Sequence, residues 1–272
     1  MRSPSRDGLD SCRDALAPLE FIPTFSVILA TCDRPQLLAD ALRSVAGQSL
    51  PPLDVRIGDA GAIAVADAVP VPGELAVTWL RAPGSVAAAT RNTAAREAQG
   101  EVLAFLDDDD RWLPSHLEQL AAAFADSGVE LAYSDAVVIR ERIEPDGART
   151  ELDRRALAHD WDEAMMRTND WIAPSAFAVR RTRFESLGGF DESFSASEDW
   201  DFLLRAARHA TPRRVRSVTA EVHMRESGNL SADFGPARRS YLGQLSARHG
   251  LPPLEPRTFW EVAEILTGGI PR

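Results

Sequence analysis

The sequence predicts an α/β fold in which a mostly parallel sheet is flanked by helices and continues into a mixed second half. Two observations favour this class. Up to about residue 135, short apolar segments alternate with amphipathic ones, which is the pattern of parallel strands connected by helices. With 272 residues, 44% of them hydrophobic, the chain is long enough to bury one large core. We therefore expect one compact unit without an internal repeat.

The first half follows an N-terminal arm that is expected over residues 1–22, where charged and small residues mix without periodicity. Residues 25–30 are apolar on both faces, which is typical of a strand covered by helices on either side. A helix follows at once, with Asp33 as its expected N-cap and Gly47 as its expected end. Its apolar stripe comprises Leu37, Leu38, Ala41, Leu42 and Val45.

The alternation continues through a strand that precedes an acidic turn. Predicted strands lie at residues 53–58, 76–80 and 102–106, and predicted helices at residues 83–100 and 115–124. Ser115 and Glu118 are expected to form a capping box on the second of these helices. Ligands in such sheets bind beyond the carboxyl ends of the strands. Residues 31–33, Asp59 and residues 107–110 fall at those ends, so we expect them to converge on one crevice.

The rest of the chain carries weaker signals. Residues 136–232 contain polar and Trp-rich stretches and are expected to complete a domain that begins at residue 23. A C-terminal helical tail is expected over residues 233–272, with one helix at 238–249 and a short amphipathic segment near 259–266. The sequence indicates no function for this tail.

Composition excludes several classes of protein. A net charge of −11 disfavours binding to nucleic acid and to anionic membranes. The two cysteines, Cys12 and Cys32, lack metal-ligand or redox spacing, which favours a reduced compartment. No apolar run approaches the roughly 20 residues that span a bilayer, and no signal peptide is evident. We expect a cytoplasmic protein; peripheral contact with a membrane stays open.

Four consecutive aspartates, Asp107 to Asp110, follow the apolar strand at residues 102–106. Crowded carboxylates repel one another unless a cation offsets their charge, and hard divalent cations such as Mg²⁺ or Mn²⁺ prefer oxygen ligands. The alternative is a solvated acidic loop, which is the usual state of a charge run. The run lies between a buried strand and a helix start, which favours a metal site that holds an anionic substrate.

The chain carries six motifs in a fixed order. They are Thr31-Cys32-Asp33-Arg34-Pro35, the strand end at Asp59, Arg91-Asn92, the stretch from Leu106 to Pro114, Gly188-Gly189-Phe190-Asp191-Glu192, and Glu198-Asp199-Trp200-Asp201. Each motif alone is weak evidence, but the ordered set resembles a family 2 glycosyltransferase with the GT-A fold. The resemblance covers roughly residues 24–232.

The resemblance implies a nucleotide-diphosphate sugar as donor, with a UDP-type donor favoured. The residues implied to bind it are Thr31, Asp33, Arg34, Asp59, Arg91, Asp107 and Asp108. Asp107 and Asp109 match the DXD motif of the family, so Asp109 would ligate Mg²⁺ or Mn²⁺ and Asp107 would contact the ribose and the metal site. Asp108 and Asp110 either share this work or shape the turn. His223 is a further implied metal ligand, with Arg225 as an alternative contact to the diphosphate.

The resemblance also implies a catalytic pair. Asp199 would act as the general base on the acceptor hydroxyl, giving inversion at the anomeric carbon, and Glu198 would orient it or contact the acceptor. A purely structural reading is also available. Acidic residues in the first turn of a helix, with Ser197 as N-cap, stabilise the helix dipole without any catalytic role.

Other features leave alternatives open. Trp171 and Trp200 are candidates to stack on a sugar, and core packing is the competing reading for Trp171. The two glycines at 188–189 suit either a loop over the donor or a simple turn. The chain departs from the family pattern at Ala60, which puts base specificity in doubt, and at Asp33, which adds negative charge beside the diphosphate pocket.

The function that the resemblance implies is a metal-dependent, inverting glycosyltransferase acting on a glycan, lipid-linked or small-molecule hydroxyl. Three alternatives remain: a non-catalytic nucleotide-sugar binding or scaffold protein, a sugar-nucleotide pyrophosphorylase, and a glycoside hydrolase. The pyrophosphorylase lacks support because no Gly-rich phosphate loop follows the first strand. A hydrolase would need two carboxylates but no nucleotide.

Overall fold

The computed structural model describes residues 22–144, 148–225 and 235–268. The predicted N-terminal arm lies outside the described residues except for its last residue, and so does Cys12. Within the described residues no helix is long and apolar enough to cross a membrane.

Nine strands of the described residues form one sheet. They are β1 (Phe25–Thr31), β2 (Asp54–Asp59), β3 (Val77–Arg81), β4 (Val102–Asp107), β5 (Arg111–Trp112), β6 (Leu131–Ile143), β7 (Arg149–Leu157), β8 (Phe177–Arg180) and β9 (Arg213–Arg225). Their order is β3-β2-β1-β4-β8-β6-β9-β5, with β7 paired to β6. Strands β3, β2, β1 and β4 run parallel, as the sequence predicts, and β8 then joins β4 in the antiparallel sense.

Eight helices accompany the sheet in the described residues. They are α1 (Pro35–Ala46), α2 (Ala87–Arg96), α3 (His116–Phe124), α4 (Glu163–Met166), α5 (Arg181–Ser186), α6 (Glu198–Ala207), α7 (Pro236–His249) and α8 (Phe259–Leu266). The predicted boundaries therefore hold to within a few residues for the long elements.

The parallel register brings the predicted strand ends together. Ala30 pairs with Asp107 on one side of β1, and Thr31 pairs with Asp59 on the other. The carboxyl ends of three strands thus meet at one edge, which is where an open α/β sheet binds its ligand.

Two predicted helix caps are wrong. The N-cap of α1 is Arg34, without a side-chain cap bond, because Asp33 adopts a left-handed conformation (φ 55°) and points its carboxylate at the backbone of Gly61. Ser115 makes no cap bond either, since Glu118 accepts a hydrogen bond from Ser49 Oγ at 2.7 Å instead. In both cases a tertiary contact displaces the local one.

A cluster of phenylalanines joins the two halves of the sheet. The Phe105 ring on β4 lies 5.2 Å from Phe177, 5.5 Å from Phe184 and 5.1 Å from Phe190, measured between centroids. Aromatic pairs at this spacing contribute beyond their buried area. One continuous core therefore extends from the parallel strands into the second half.

The C-terminal helices belong to the same core. Leu242 and Leu245 of α7 and Val262 of α8 are buried. The Trp260 ring of α8 lies between two arginines, 5.2 Å from the Arg140 guanidinium and 4.5 Å from that of Arg155. Helix α8 is thus packed against β6 and β7.

A glycine at the contact of β2 and α2 tests this packing. A Cβ on Gly58 would lie 2.5 Å from the carbonyl oxygen of Thr90, so Gly58→Ala forces the helix away from the sheet. We expect the free energy of unfolding in urea to fall by about 1–3 kcal/mol. Gly243→Ala is the matched control, because a Cβ there meets nothing within 4 Å and relieves a glycine in the middle of α7. That variant should gain up to about 1 kcal/mol. Equal unfolding midpoints for both variants would contradict the helix–sheet contact.

Candidate active site

A cavity of about 500 Å³ lies at the strand ends. It is lined by the ends of β1 and β4, by residues of α2, by the loop at residues 168–174, by the start of α6 and by the C-terminal helices. The cavity brings together seven of the nine residues predicted to bind donor or metal: Thr31, Arg34, Arg91, Asp107, Asp108, Asp109 and His223. Both predicted catalytic residues, Glu198 and Asp199, line it as well.

Asp59 lies beneath the cavity wall. Its carboxylate accepts hydrogen bonds from the backbone N–H groups of Gly61 (2.9 Å) and Val65 (3.0 Å) and pairs with Arg81. Both oxygens are therefore engaged in holding the loop after β2. A role of Asp59 near the base and of Asp33 in the nucleotide pocket stays a prediction, and neither side chain is among those that line the cavity.

The four aspartates of the acidic turn point in different directions. Asp108 turns back to β1, accepting hydrogen bonds from Thr31 Oγ1 at 2.7 Å and Arg34 Nη1 at 3.3 Å. Asp110 turns towards the second half, where Ser175 Oγ and the His223 backbone N–H (2.8 Å) donate to it. These bonds fix the shape of the turn, which is one of the two roles that the sequence leaves open for this pair.

A second set of contacts defines a possible cation site. Asp107, Asp109 and Asp110 each offer one oxygen, and the three oxygens lie within 4.8 Å of one another. Hard oxygen donors of this kind fit Mg²⁺ or Mn²⁺. Burial and the neighbouring carboxylates raise the pKa of Asp109 and Asp110, and raise that of Asp108 to about 6. A cation is therefore the natural partner of this turn.

Two arginines contact the carboxylate of Asp109. Asp109 accepts a hydrogen bond from Arg225 Nη2 at 2.7 Å and one from Arg34 Nη1 at 3.3 Å. His223 contacts Glu141 through Nδ1 at 3.0 Å, and its imidazole is outside the set of close carboxylate oxygens described above. Burial opposes protonation of His223, but Glu141 and Glu221 outweigh it and raise its pKa. His223 as a metal ligand stays a prediction, whereas Arg225 reaches the DXD-like aspartate directly.

Arg91 connects the acidic turn to the second carboxylate motif. One of its terminal nitrogens donates to Asp107 and the other to Glu198, and only 5% of the residue is exposed. Burial alone would lower the pKa of this guanidinium, but the two carboxylates raise it above its usual value. Arg91 is thus permanently charged. It joins Asp107 to Glu198, two residues that are 91 positions apart in the sequence.

The start of α6 presents Asp199 to the cavity. Ser197 occupies the N-cap position, as expected, and has a left-handed backbone (φ 67°). Its hydroxyl makes no hydrogen bond to the first turn, so the expected side-chain cap is absent. Burial, and then the charge of Glu198, raise the pKa of Asp199 to about 7. A carboxyl that titrates near neutral pH suits proton transfer.

Asp201, two residues on, serves the fold. Its carboxylate is fully buried and accepts hydrogen bonds from Arg205 Nε at 2.7 Å and Arg248 Nη1 at 3.2 Å, and it contacts His249 Nε2 at 2.8 Å. Burial alone would raise its pKa, but these partners lower it to about 2. The Asp201 cluster ties α6 to the end of α7.

Sequence reasoning missed one acidic residue of the site. Asp170 lines the cavity near Asp199, and burial followed by the charge of Asp199 raises its pKa well above the usual value. Its segment has no hydrophobic periodicity, so the sequence indicated only the adjacent Trp171 as a candidate. Trp171 itself packs against His159 and Trp161 and is 2% exposed, which confirms core packing for it.

Trp200 and the two glycines have distinct positions. Trp200 lines the cavity and donates from Nε1 to the Met166 carbonyl at 2.8 Å. Gly188 and Gly189 have positive φ (76° and 72°), and a Cβ on Gly189 would lie 2.6 Å from Asn92 Oδ1. The glycines therefore form a turn that docks on α2, and neither lines the cavity.

Comparison with known proteins identifies relatives of this chain. The model of Glycosyl transferase family 2 matches residues 26–188. An uncharacterized glycosyltransferase of Bacillus subtilis strain 168, YwdF, is 33% identical over 239 residues, which are 86% of this chain and 87% of YwdF.

Two solved structures share the fold. S. aureus TarS 1-349, in complex with UDP-GlcNAc, aligns with a TM-score of 0.58 and 17% identity over 82% of this chain and 66% of that one. The mannosyltransferase PcManGT from Pyrobaculum calidifontis, in complex with GDP-Man and Mn²⁺, aligns with a TM-score of 0.58 and 19% identity over 86% of this chain and 67% of that one. A longer TarS chain is covered to 39% of its length. These structures confirm the predicted GT-A fold class.

The raised pKa of Asp199 makes a prediction about stability. A carboxyl whose pKa rises on folding, here from 3.8 to about 7, destabilises the folded state progressively as pH increases through that range. Asp199→Asn removes this penalty, so its advantage in unfolding free energy over the unsubstituted protein should grow by about 4 kcal/mol between pH 4 and pH 8. Thermal unfolding across this pH range measures it. Glu74→Gln, at an exposed carboxylate, is the control and should show no such trend. A pH-independent difference for Asp199→Asn would contradict the raised pKa.

Proposed function

The chain belongs to glycosyl transferase family 2, and we propose that it moves a sugar from a nucleotide-diphosphate donor to an acceptor hydroxyl with inversion, using a divalent cation. One observation carries the proposal. A single cavity is lined both by the carboxylate cluster of Asp107, Asp109 and Asp110 and by Asp199. The matched family segment ends at residue 188, so the role of Asp199 rests on this geometry and on the resemblance of its motif.

The donor end suits a nucleoside diphosphate. Arg34 and Arg225 both reach Asp109, so they lie beside the place where a cation would meet the diphosphate oxygens. Arginine donors recognise phosphate with paired hydrogen bonds. TarS was solved with UDP-GlcNAc and PcManGT with GDP-Man, which supports a nucleotide-sugar donor here. Of the two nucleotides, we favour the uridine nucleotide as the donor.

The acidic turn supplies the ligands for the cation. Asp109 is the principal ligand, with Asp107 and Asp110 in reach of the same ion. Mg²⁺ or Mn²⁺ in this position would act as a Lewis acid that stabilises the negative charge on the departing nucleoside diphosphate. PcManGT was solved with Mn²⁺, which supports the same choice.

Asp199 acts on the acceptor. With a pKa of about 7 it is substantially ionised at neutral pH, so it can take the proton of an acceptor hydroxyl as that oxygen attacks the anomeric carbon. Attack from the side opposite the diphosphate gives inversion. Glu198 is held by Arg91 and fixes the first turn of α6, so it positions Asp199 relative to the donor end.

Donor binding is tested by thermal stabilisation with UDP, GDP and other nucleoside diphosphates, each with and without Mn²⁺. One nucleotide at about 100-fold its Kd should raise the unfolding temperature by roughly 5–10 °C only when the cation is present. Asp109→Ala should abolish the cation-dependent part. Asp67→Asn, an exposed aspartate remote from the cavity, should leave it intact. Full cation-dependent stabilisation of the Asp109→Ala protein would refute the metal assignment.

The base is tested by the pH dependence of transfer. The rate should rise with pH through an apparent pKa near 7, because only ionised Asp199 accepts the proton. Asp199→Asn should lower transfer by about 100-fold or more while nucleotide-dependent stabilisation persists. Transfer by Asp199→Asn at the normal rate would remove this residue from catalysis. Nucleotide binding with neither transfer nor donor hydrolysis would indicate a binding protein.

A further inference from the structure

The C-terminal segment 235–268 builds the end of the cavity that faces Asp199. Arg238 and Leu242 of α7, Phe259 and Val262 of α8, and Glu255 and Arg257 of the connection between them all line it. Arg238 interacts through its charge with Asp170 and Asp199, whereas the acidic turn pairs with arginines from other segments. Because the donor is expected at the turn, the group that meets this segment belongs to the acceptor.

Arg238 has an unusual place in this wall. Its Nε atom is buried, and no hydrogen bond or ion pair joins the side chain to any residue that the structure describes. Asp170 and Asp199 are near enough to interact with its charge through space. A buried guanidinium nitrogen without a partner is unfavourable, and a ligand that accepts from it removes the penalty.

The carboxyls near Arg238 are themselves poorly placed to carry charge. Burial raises the pKa of Asp170 well above its usual value and that of Asp199 to about 7, so both groups are less readily ionised than exposed aspartates. Glu198 is engaged by Arg91. Glu255 is the remaining carboxylate of this wall, and it shares the connection with a second cation, Arg257.

Arg257 is anchored on one side only. Its Nη1 donates to Asn169 Oδ1 at 2.8 Å, and the other terminal nitrogen has no hydrogen bond within the described ranges. Two arginines from one segment therefore line the cavity beside the loop that carries Asn169 and Asp170. The planar fork of arginine matches a carboxylate or a phosphate.

We propose that Arg238, together with Arg257, binds an anionic group, a carboxylate or a phosphate, that the acceptor carries close to the hydroxyl receiving the sugar. The inference rests on the proposed function, since it takes Asp199 as the base at the same end. A chain with a net charge of −11 repels anions at long range, so recognition of an anionic acceptor requires local cations of this kind.

The direct test is a titration of the full chain with methyl phosphate and with acetate, followed by thermal stabilisation. It is run with saturating nucleoside diphosphate and Mg²⁺, so that the diphosphate site is filled, and again without nucleotide. The two anions distinguish a phosphate site from a carboxylate site. We expect saturable stabilisation by one of them and at least a tenfold weaker apparent affinity in Arg238→Gln. Arg238→Lys, which keeps the charge but loses the fork, should fall between.

Arg239→Gln is the matched control, because Arg239 is the exposed neighbour on the same turn and lies outside the cavity lining. It should bind the anion like the unsubstituted protein. Equal anion affinity in Arg238→Gln and Arg239→Gln, or no saturable binding by the unsubstituted protein, would overturn the proposal. Nucleotide-dependent stabilisation is recorded in the same experiment, so its loss identifies a failure of the proposed function separately.

A second readout uses transfer itself and does not depend on a stable variant. Acceptors are offered in pairs that differ only in charge: glucuronate or glucose 6-phosphate against glucose. The unsubstituted protein should favour the charged member at least tenfold, and Arg238→Gln should reduce that ratio while Arg239→Gln preserves it. A preference for the neutral member would overturn the proposal even if Arg238→Gln failed to fold.

Discussion

The bridge from Arg91 to Asp107 and Glu198 is the interaction on which the arrangement of the site depends. It joins the end of a central parallel strand to the first turn of α6, and Arg91 is almost completely buried from solvent. Loss of one member of a buried ion pair leaves an uncompensated charge, which costs about 3–5 kcal/mol. The spacing between the acidic turn and Asp199 is therefore fixed by a contact that the fold cannot easily give up.

The concentration of carboxylates around this bridge is sustained by a surrounding layer of arginines. Arg149 is an example: it pairs with Glu141 and Asp40 and donates to the backbone carbonyl of Asp109 at 3.1 Å. It thereby holds the acidic turn from behind while Glu141 holds His223. Such cations reduce the repulsion between the aspartates. The turn is consequently shaped before any ligand arrives, which suits a site that must orient a charged donor.

The sequence was sufficient to predict the parallel strands and the convergence of Thr31 and the acidic turn, because apolar runs and strand ends are local signals. It was insufficient for the caps of α1 and α3, where contacts to Gly61 and Ser49 displaced the local pattern. The sequence also did not predict that Asp59 pairs with Arg81. The positions of Asp170 and of the C-terminal segment at the cavity depend on tertiary packing. The hydrophobic periodicity of the sequence does not predict such contacts.

The Asp201 cluster has a consequence for where the chain can be shortened. Asp201 sits on the same helix as Asp199 and is fully buried, and two of its three cationic or imidazole partners, Arg248 and His249, come from the last turn of α7. A polypeptide cut ahead of α7 would leave this buried carboxylate with Arg205 as the remaining one of its three partners. Helix α7 is thus part of the same folding unit as α6, and a fragment that keeps the Asp201 cluster intact must extend through His249.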